Sequence, residues 1–251
     1  MNELRDEFTD STPGPFSLGA DTHVVILTGA GISAESGLAT FRGQGGLWEG
    51  HRVEEVASPR AFSRDPRCVW RFYNARRTAL KAVEPNAAHR ALVSLERYIK
   101  DGNFTLITQN VDDLHQRAGS RNILPMHGEL VKIRCTECNH LEENRDDLDD
   151  FPRCSCGALL RPHIVWFGEM PFYMETIASR MRELDVFIAI GTSGAVYPAA
   201  GLVEQAKRSG ARTVWINPDE PPFEFSWDEF YRGPAATVVP TLVSRWTGKS
   251  V

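Results

Sequence analysis

The sequence predicts an α/β fold: a doubly wound, Rossmann-like parallel sheet carrying a smaller inserted helical and zinc-binding part. Three observations predict it. Four short apolar runs, His23 to Thr28, Phe104 to Thr108, Asp185 to Ile190 and Thr213 to Asn217, are separated by helical or irregular sequence, the rhythm of β-α-β units. The first run leads straight into Gly29-Ala30-Gly31-Ile32-Ser33-Ala34, a glycine-bearing turn onto a helix start. Two blocks, 44–84 and 131–160, break the alternation, and the second holds four of the five cysteines.

With 251 residues, the chain can fill one large domain with a smaller insertion. We expect a flexible lead-in over 1–20. A nucleotide-binding domain is expected from 21–43, 85–130 and 161–251, with a helical insertion at 44–84 and a zinc module at 131–160. Hydrophobic residues at 42%, charged residues at 24% and a net charge of -5 are those of an ordinary globular protein. That balance gives no reason to expect nucleic acid as a partner. No apolar run approaches a membrane span and no signal-peptide pattern opens the chain, so a cytoplasmic protein is expected.

The run ending at Thr28 is apolar on both faces, as a buried parallel strand requires. Gly29 and Gly31 let the backbone turn without Cβ interference. The amides of Ala30, Gly31 and Ile32, with the Ser33 hydroxyl, are expected to face a pyrophosphate. A dinucleotide fingerprint is usually followed about 20 residues on by a strand ending in an acid that holds a ribose. Here that region reads GGLWEGHRVEEVASP, polar and glycine-broken. A later element must therefore hold that ribose, and a hydride-transferring dehydrogenase is disfavoured.

The stretch Pro66 to Val83 has helical periodicity, with Val69, Tyr73, Arg76, Leu80 and Val83 on one face. Arg76 on that stripe either snorkels or points inward at an anion; Tyr73, three residues earlier, could add its hydroxyl. Arg71 and Arg77 fall off the stripe and are assigned to a solvated face, and Cys68 to packing. A second helix is expected over Ala87 to Lys100. After the Phe104–Thr108 run comes Gln109-Asn110-Val111-Asp112-Asp113-Leu114-His115, at the carboxyl end of a sheet strand where ligands bind. Its amides and carboxylate suit a carboxamide and ribose hydroxyls better than phosphates. His127, in Pro125-Met126-His127-Gly128-Glu129-Leu130, is either a general base or a core histidine bonded to backbone.

Cys135-Thr136-Glu137-Cys138 and Cys154-Ser155-Cys156 bracket a polar, acidic stretch unable to form a core. Two such pairs read as a tetrahedral Zn²⁺ site; the alternatives are reduced buried thiols or disulfides. Four protein ligands leave no open position, so the metal would be structural. Further helices are expected over Ala199 to Ser209 and Pro240 to Arg245.

Taken together, GAGISAESG…FRG, TQNVDDLH, HGEL, the paired cysteines, RPHIVWFGE and GTSGAVYPAA resemble the sirtuins, the NAD-dependent protein lysine deacylases. The motifs run in order across about residues 22–240. The resemblance implies that NAD is consumed. It puts the pyrophosphate on Ala30 to Ser33, counts Gly29 and Glu35 among the cofactor-binding residues, and makes Thr40, Phe41 and Arg42 part of a mobile cofactor loop. It puts the nicotinamide carboxamide near Ile32 and Asp112, and Gln109 and Asn110 beside the ribose. Gly191, Thr192 and Ser193 meet the adenosine side, Asn217 its ribose, and Asp219 and Ala235 the adenine. The acyl oxygen of a modified lysine attacks the nicotinamide-bearing ribose carbon, and His127, with Asn110, then serves as the catalytic pair. Products are lysine, nicotinamide and O-acyl-ADP-ribose. The substrate peptide adds as a strand between Val165-Trp166-Phe167-Gly168-Glu169 and the Gly194-Ala195-Val196 loop, with His163 and Val165 near the acyl-lysine tunnel. Thr40 in place of the commoner aspartate goes with the subgroup carrying Tyr73-x-x-Arg76, which implies succinyl- or malonyl-lysine as substrates alongside acetyl-lysine.

Overall fold

A computed structural model describes residues 17–39, 47–48, 51–148, 151–221 and 226–250. Thr40, Phe41 and Arg42 lie outside the described residues. Six parallel strands form the main sheet: β1 (Val24–Thr28), β4 (Phe104–Thr108), β5 (Ile123–Pro125), β9 (Val186–Ile190), β10 (Arg212–Asn217) and β11 (Glu229–Arg232). Their order is β11-β10-β9-β1-β4-β5, so the chain starts in the centre and winds outward in both directions. β1, β4 and β9 are buried at every residue, which is why they read as continuous apolar runs. Register is in step across the centre, Val24 facing both Phe104 and Val186.

Between β1 and β4 lie α1 (Gly31–Ala34), the two-stranded β2 (Leu47–Trp48) and β3 (His51–Arg52), α2 (Val53–Val56), α3 (Pro59–Arg64), α4 (Pro66–Lys81) and α5 (Ala87–Tyr98). Asp65 caps α4 through the Cys68 amide and Asn86 caps α5 with a full capping box. Then come α6 (Leu114–Ala118) and a three-stranded antiparallel sheet of β6 (Gly128–Cys135), β7 (Leu141–Glu143) and β8 (Leu160–Ile164), ordered β7-β6-β8. After it follow α7 (Met174–Arg180), a 3-10 turn at Ala199–Gly201 leading into α8 (Leu202–Arg208), and α9 (Ala235–Thr247).

Three apolar clusters result. One packs α5 and α9 on one face of the main sheet, around Leu92, Leu106, Ile188, Val239 and Trp246. Another packs α7 and α8 on the other face, around Ile107, Phe187, Met181, Leu202 and Trp215. The third joins α2–α4 to β6 and β8 around Val69, Trp70, Tyr73, Ile133 and Trp166.

Two expectations need correction. The C-terminal helix begins at Ala235, not Pro240, and contains Pro240; burial of Val238, Val239, Leu242, Val243 and Trp246 outweighs the one lost backbone bond. Arg77, assigned to a solvated face, is buried at 1% exposure. The buried stripe of α4 is wider than the sequence periodicity suggested, running Trp70, Tyr73, Arg77, Leu80. Arg71 is exposed as expected and Cys68 packs against the third cluster.

Among the described residues, no helix is long and apolar enough to cross a membrane.

Gly128, directly after His127, has φ of +87° and an added Cβ would lie 2.1 Å from the His163 carbonyl oxygen. Gly128→Ala is expected to cost roughly 3 kcal/mol or more. A thermal melt should show Tm lowered by about 6 °C or more.

Candidate active site and metal centre

The carboxyl ends of β1, β4 and β9 converge at a turn built from backbone contact. The Gly31 amide donates to the Gly191 carbonyl at 2.8 Å, and the Gly29 amide to the Ile190 carbonyl. A Cβ on Gly31 would stand 2.6 Å from Gly191 Cα, and one on Gly29 2.7 Å from Gly191 O. Gly191 itself has φ of +60°. The glycines are thus required first by the approach of two strand ends to each other.

The Gly31 amide is taken by Gly191, and the Ile32 amide closes a turn onto the Gly29 carbonyl at 3.2 Å. The Ser33 hydroxyl donates to Asp112 Oδ2 at 3.0 Å and accepts from Asn110 Nδ2 at 3.2 Å. Asn110 Nδ2 also donates to the Gly29 carbonyl at 3.1 Å. The four-residue α1 supplies little dipole, so of the expected amides Ala30 is the one these hydrogen bonds do not use.

Glu35 accepts the Ala236 amide at 2.6 Å and so caps α9 one residue beyond the buried Ala235. Gln109 Nε2 donates to Thr192 Oγ1 at 2.9 Å. Asn217 Nδ2 donates to the Thr192 carbonyl at 2.6 Å, and the Asp219 amide donates to Asn217 Oδ1. Ser193 Oγ accepts the Ala195 amide. Among the described residues, the Asn110–Ser33–Asp112 and Gln109–Thr192–Asn217–Asp219 hydrogen bonds line a polar rim at the carboxyl ends of the strands. It is rich in amides, hydroxyls and one buried carboxyl, a donor set suited to ribose hydroxyls and a carboxamide. Burial raises the Asp112 carboxyl above the usual range, against the pull of the Leu114 amide and the Ser33 hydroxyl.

His127 Nδ1 lies 3.0 Å from the Gln109 carbonyl. That carbonyl can only accept, so Nδ1 carries the proton and Nε2 is left as the basic atom. Burial lowers the pKa of His127 and the Gln109 bond partly offsets this, so the ring is neutral near pH 7. The two sequence readings of His127, base and backbone-bonded histidine, describe the same side chain.

Beyond it, Tyr73 is fully buried and its oxygen accepts from Trp166 Nε1 at 3.0 Å. Burial drives its hydroxyl pKa well up, so it stays protonated. Arg76 is half-buried over the Phe72 ring, and its charge reaches both Tyr73 and Asp112. His163 stacks on Phe172 with ring centroids 4.6 Å apart; burial, then Arg134, Lys132 and Arg161, hold it down to about 4. Glu169 is clamped by both nitrogens of Arg161, at 2.6 and 2.9 Å, and accepts the Trp166 amide. Its carboxylate is committed to that loop. Val165 donates its amide to the His127 carbonyl, Phe167 is half exposed, and Gly168 takes φ of +91°. Gly194 has φ of +64° and Val196 is half-buried.

Sequence reasoning passed over a buried support beneath the turn. Asn86 Nδ2 donates to the Ile32 carbonyl at 2.8 Å and to Ser36 Oγ, and His89 Nδ1 meets Asn86 Oδ1. His115, bonded to Thr28 Oγ1 at 3.1 Å, packs edge-on against His89. Burial keeps both rings neutral, His89 at about 4. The helix-capping Asn86, three residues before His89, was the available signal.

At the far end of β6 the four thiols of Cys135, Cys138, Cys154 and Cys156 lie within 4.8 Å of one another. Cys135–Cys156 is 3.5 Å and Cys138–Cys154 is 3.7 Å between sulfurs. Disulfides would need about 2 Å. Four thiolates each about 2.3 Å from one tetrahedral ion stand about 3.8 Å apart, which these distances match. The amides of Glu137 and Cys138 both donate to Cys135 Sγ, as in a metal knuckle. In the C-x-C half, Gly157 with φ of +90° closes the turn. The cysteines thus fit one structural zinc ion.

Fold and site together define an α/β protein with a polar rim at the carboxyl ends of its parallel strands and, at the far end of β6, four cysteines that fit a structural metal. The Sir2 family profile matches residues 29–198, and the chain belongs to the Sir2 family. It is 53% identical over 223 residues to the NAD-dependent protein deacylase SIR2rp3 of Trypanosoma brucei brucei, covering 86% of this chain and 91% of that one. It is 53% identical over 226 residues to the NAD-dependent protein deacylase of Vibrio cholerae, covering 88% and 92%. Among solved structures it resembles a Sir2 homolog–NAD complex, with TM-score 0.83, 44% identity, and 91% of each chain covered.

Zinc analysis of purified protein should find one ion per chain. Its removal by a chelator is expected to lower Tm by about 10 °C or more, because the segment between β6 and β8 has little core of its own.

Proposed function

We propose that this chain is an NAD-dependent protein lysine deacylase that removes acetyl and also succinyl or malonyl groups. The carrying observation is His127, half-buried and held through Nδ1 by the Gln109 carbonyl so that Nε2 is its basic atom, with Gln109 leading directly into Asn110, which bonds Ser33 and through it Asp112. NAD supplies an activated ribose carbon from which nicotinamide departs when the acyl oxygen arrives. Asp112, oriented by Ser33 and protected by burial, would hold the carboxamide with the Ile32 backbone. Asn110 fixes the glycine turn to this pocket and Gln109 fixes Thr192. His127 Nε2 would take the proton of a ribose hydroxyl, which then captures the acyl group.

Acyl-lysine peptides would enter between residues 165–169 and 194–196 and pair by backbone, in keeping with the broad sequence tolerance of strand addition. Thr40, Phe41 and Arg42 would cover the bound nicotinamide ribose. With the domain division set out from the sequence, a sheet domain and an inserted helical and zinc part, this cleft would lie between the two. The clustered free thiols support a reducing, cytoplasmic setting.

For acyl preference, the guanidinium of Arg76 with the protonated hydroxyl of Tyr73 supports binding of an acyl carboxylate by charge-assisted hydrogen bonds. Arg76→Met is expected to reduce kcat/KM for a succinyl-peptide by roughly tenfold or more while sparing an acetyl-peptide. Equal losses on both would refute the assignment.

Nicotinamide release is expected only when acyl-peptide is present, and to fall by roughly 100-fold or more in His127→Tyr. Release without peptide would instead indicate NAD hydrolysis or ADP-ribosyl transfer. Because the base must be neutral and its pKa is lowered, kcat/KM should hold on acidification through pH 6.5 and decline only below it. A pH–rate profile checks the position of that limb.

A further inference from the structure

Away from the cleft, α4, α6 and β6 enclose a cavity of about 220 Å³ lined by Arg77, Lys81, Asp113, Arg117 and Arg145 with two aliphatic side chains. Among the described residues, its lining carries four cations and one carboxylate. Asp113 is buried and already shared, 2.5 Å from Arg145 and 3.8 Å from Arg117. The other described acids in reach are solvated: Glu84 beside Arg117 is 82% exposed, Asp146 beside Lys81 89% and Glu143, 2.7 Å from Arg145, 57%, and Asp147, whose charge reaches Arg77, is exposed too. Such surface pairs are weak and readily exchanged.

Arg77 is the unusual member. Its Nε donates to the Leu130 carbonyl at 2.9 Å and its Nη1 to Asn74 Oδ1 at 2.8 Å, while its plane lies over Trp70. Nη2 is buried with no hydrogen-bond partner among the described residues. Burial pulls the guanidinium down to about 10, which still leaves it charged at neutral pH. A buried cation with a spare donor, whose one carboxylate influence comes from the exposed Asp147, is costly unless an anion completes it.

We propose that this cavity is a binding site for a small multivalent oxyanion, held by Arg77 inside and by Lys81, Arg117 and Arg145 around it. The volume admits a ligand several water molecules in size, so a tricarboxylate or a pyrophosphate fits better than a halide. None of the residues assigned to NAD, acyl-lysine or zinc lines it.

The test titrates citrate and, separately, sodium pyrophosphate into the full-length protein saturated with NAD, so that the cofactor cleft is filled. Isothermal calorimetry should show binding of at least one. Binding of citrate alone marks the site as carboxylate-selective, and of pyrophosphate alone as phosphate-selective; either supports the proposal. Lys81→Glu, at a half-exposed position, should keep its Tm and its deacylation rate without added anion, and bind that anion roughly tenfold or more weakly. Arg77→Met should lose binding altogether; if it fails to fold, Lys81→Glu decides. No binding of either anion to wild type, or equal binding by Lys81→Glu, overturns the proposal.

Discussion

The backbone contact between Gly31 and Gly191 is the constraint on which the rest of the site depends. It brings the turn after β1 to within hydrogen-bond distance of the turn after β9, at 2.8 Å, where a single methyl group on either side would force them apart. Everything that lines the cleft is referenced to that contact. Asn110 bonds Gly29, Asn217 and Gln109 both bond Thr192, and Asn86 supports Ile32 from below. The glycines that suggest phosphate binding are thus spent largely on joining strand ends, and the polar groups around them form the recognition surface.

How much of this was legible in the sequence follows from burial. β1, β4, β9 and most of β10 were readable because strands covered on both faces have no room for polar residues. β5 and β11 were not, because they are edge strands, one of three residues ending in Pro125 and the other reading Glu-Phe-Tyr-Arg. Short, proline-bearing or charged edges are what protect a sheet from further pairing, so they carry no apolar signature. α9 was shortened at Pro240 because local propensity weighs the lost amide and cannot weigh five side chains buried from the other side of the chain.

The site shows the same division. The zinc ligands were legible because their chemistry demands particular residue types at particular spacings. Arg77 was misplaced because periodicity reports a stripe, and α4 is buried over a wider arc by β6 and β8 packing across it. The hydrogen bonds that tie Ser33 to Asp112 and Glu35 to α9 join residues 79 and 201 positions apart. No local pattern carries such pairings; they arise only once the sheet order is set.

β6 has a further consequence. Its eight residues run from beside His127 to Cys135, on the order of 20 Å of extended chain between the base and the thiol cluster. At that distance the ion is electronically silent toward the reaction, yet it pins one end of the strand whose other end carries the imidazole. A coloured or paramagnetic substitute such as cobalt would therefore act as an optical gauge of strand anchoring, reporting on the scaffold without entering the chemistry it supports.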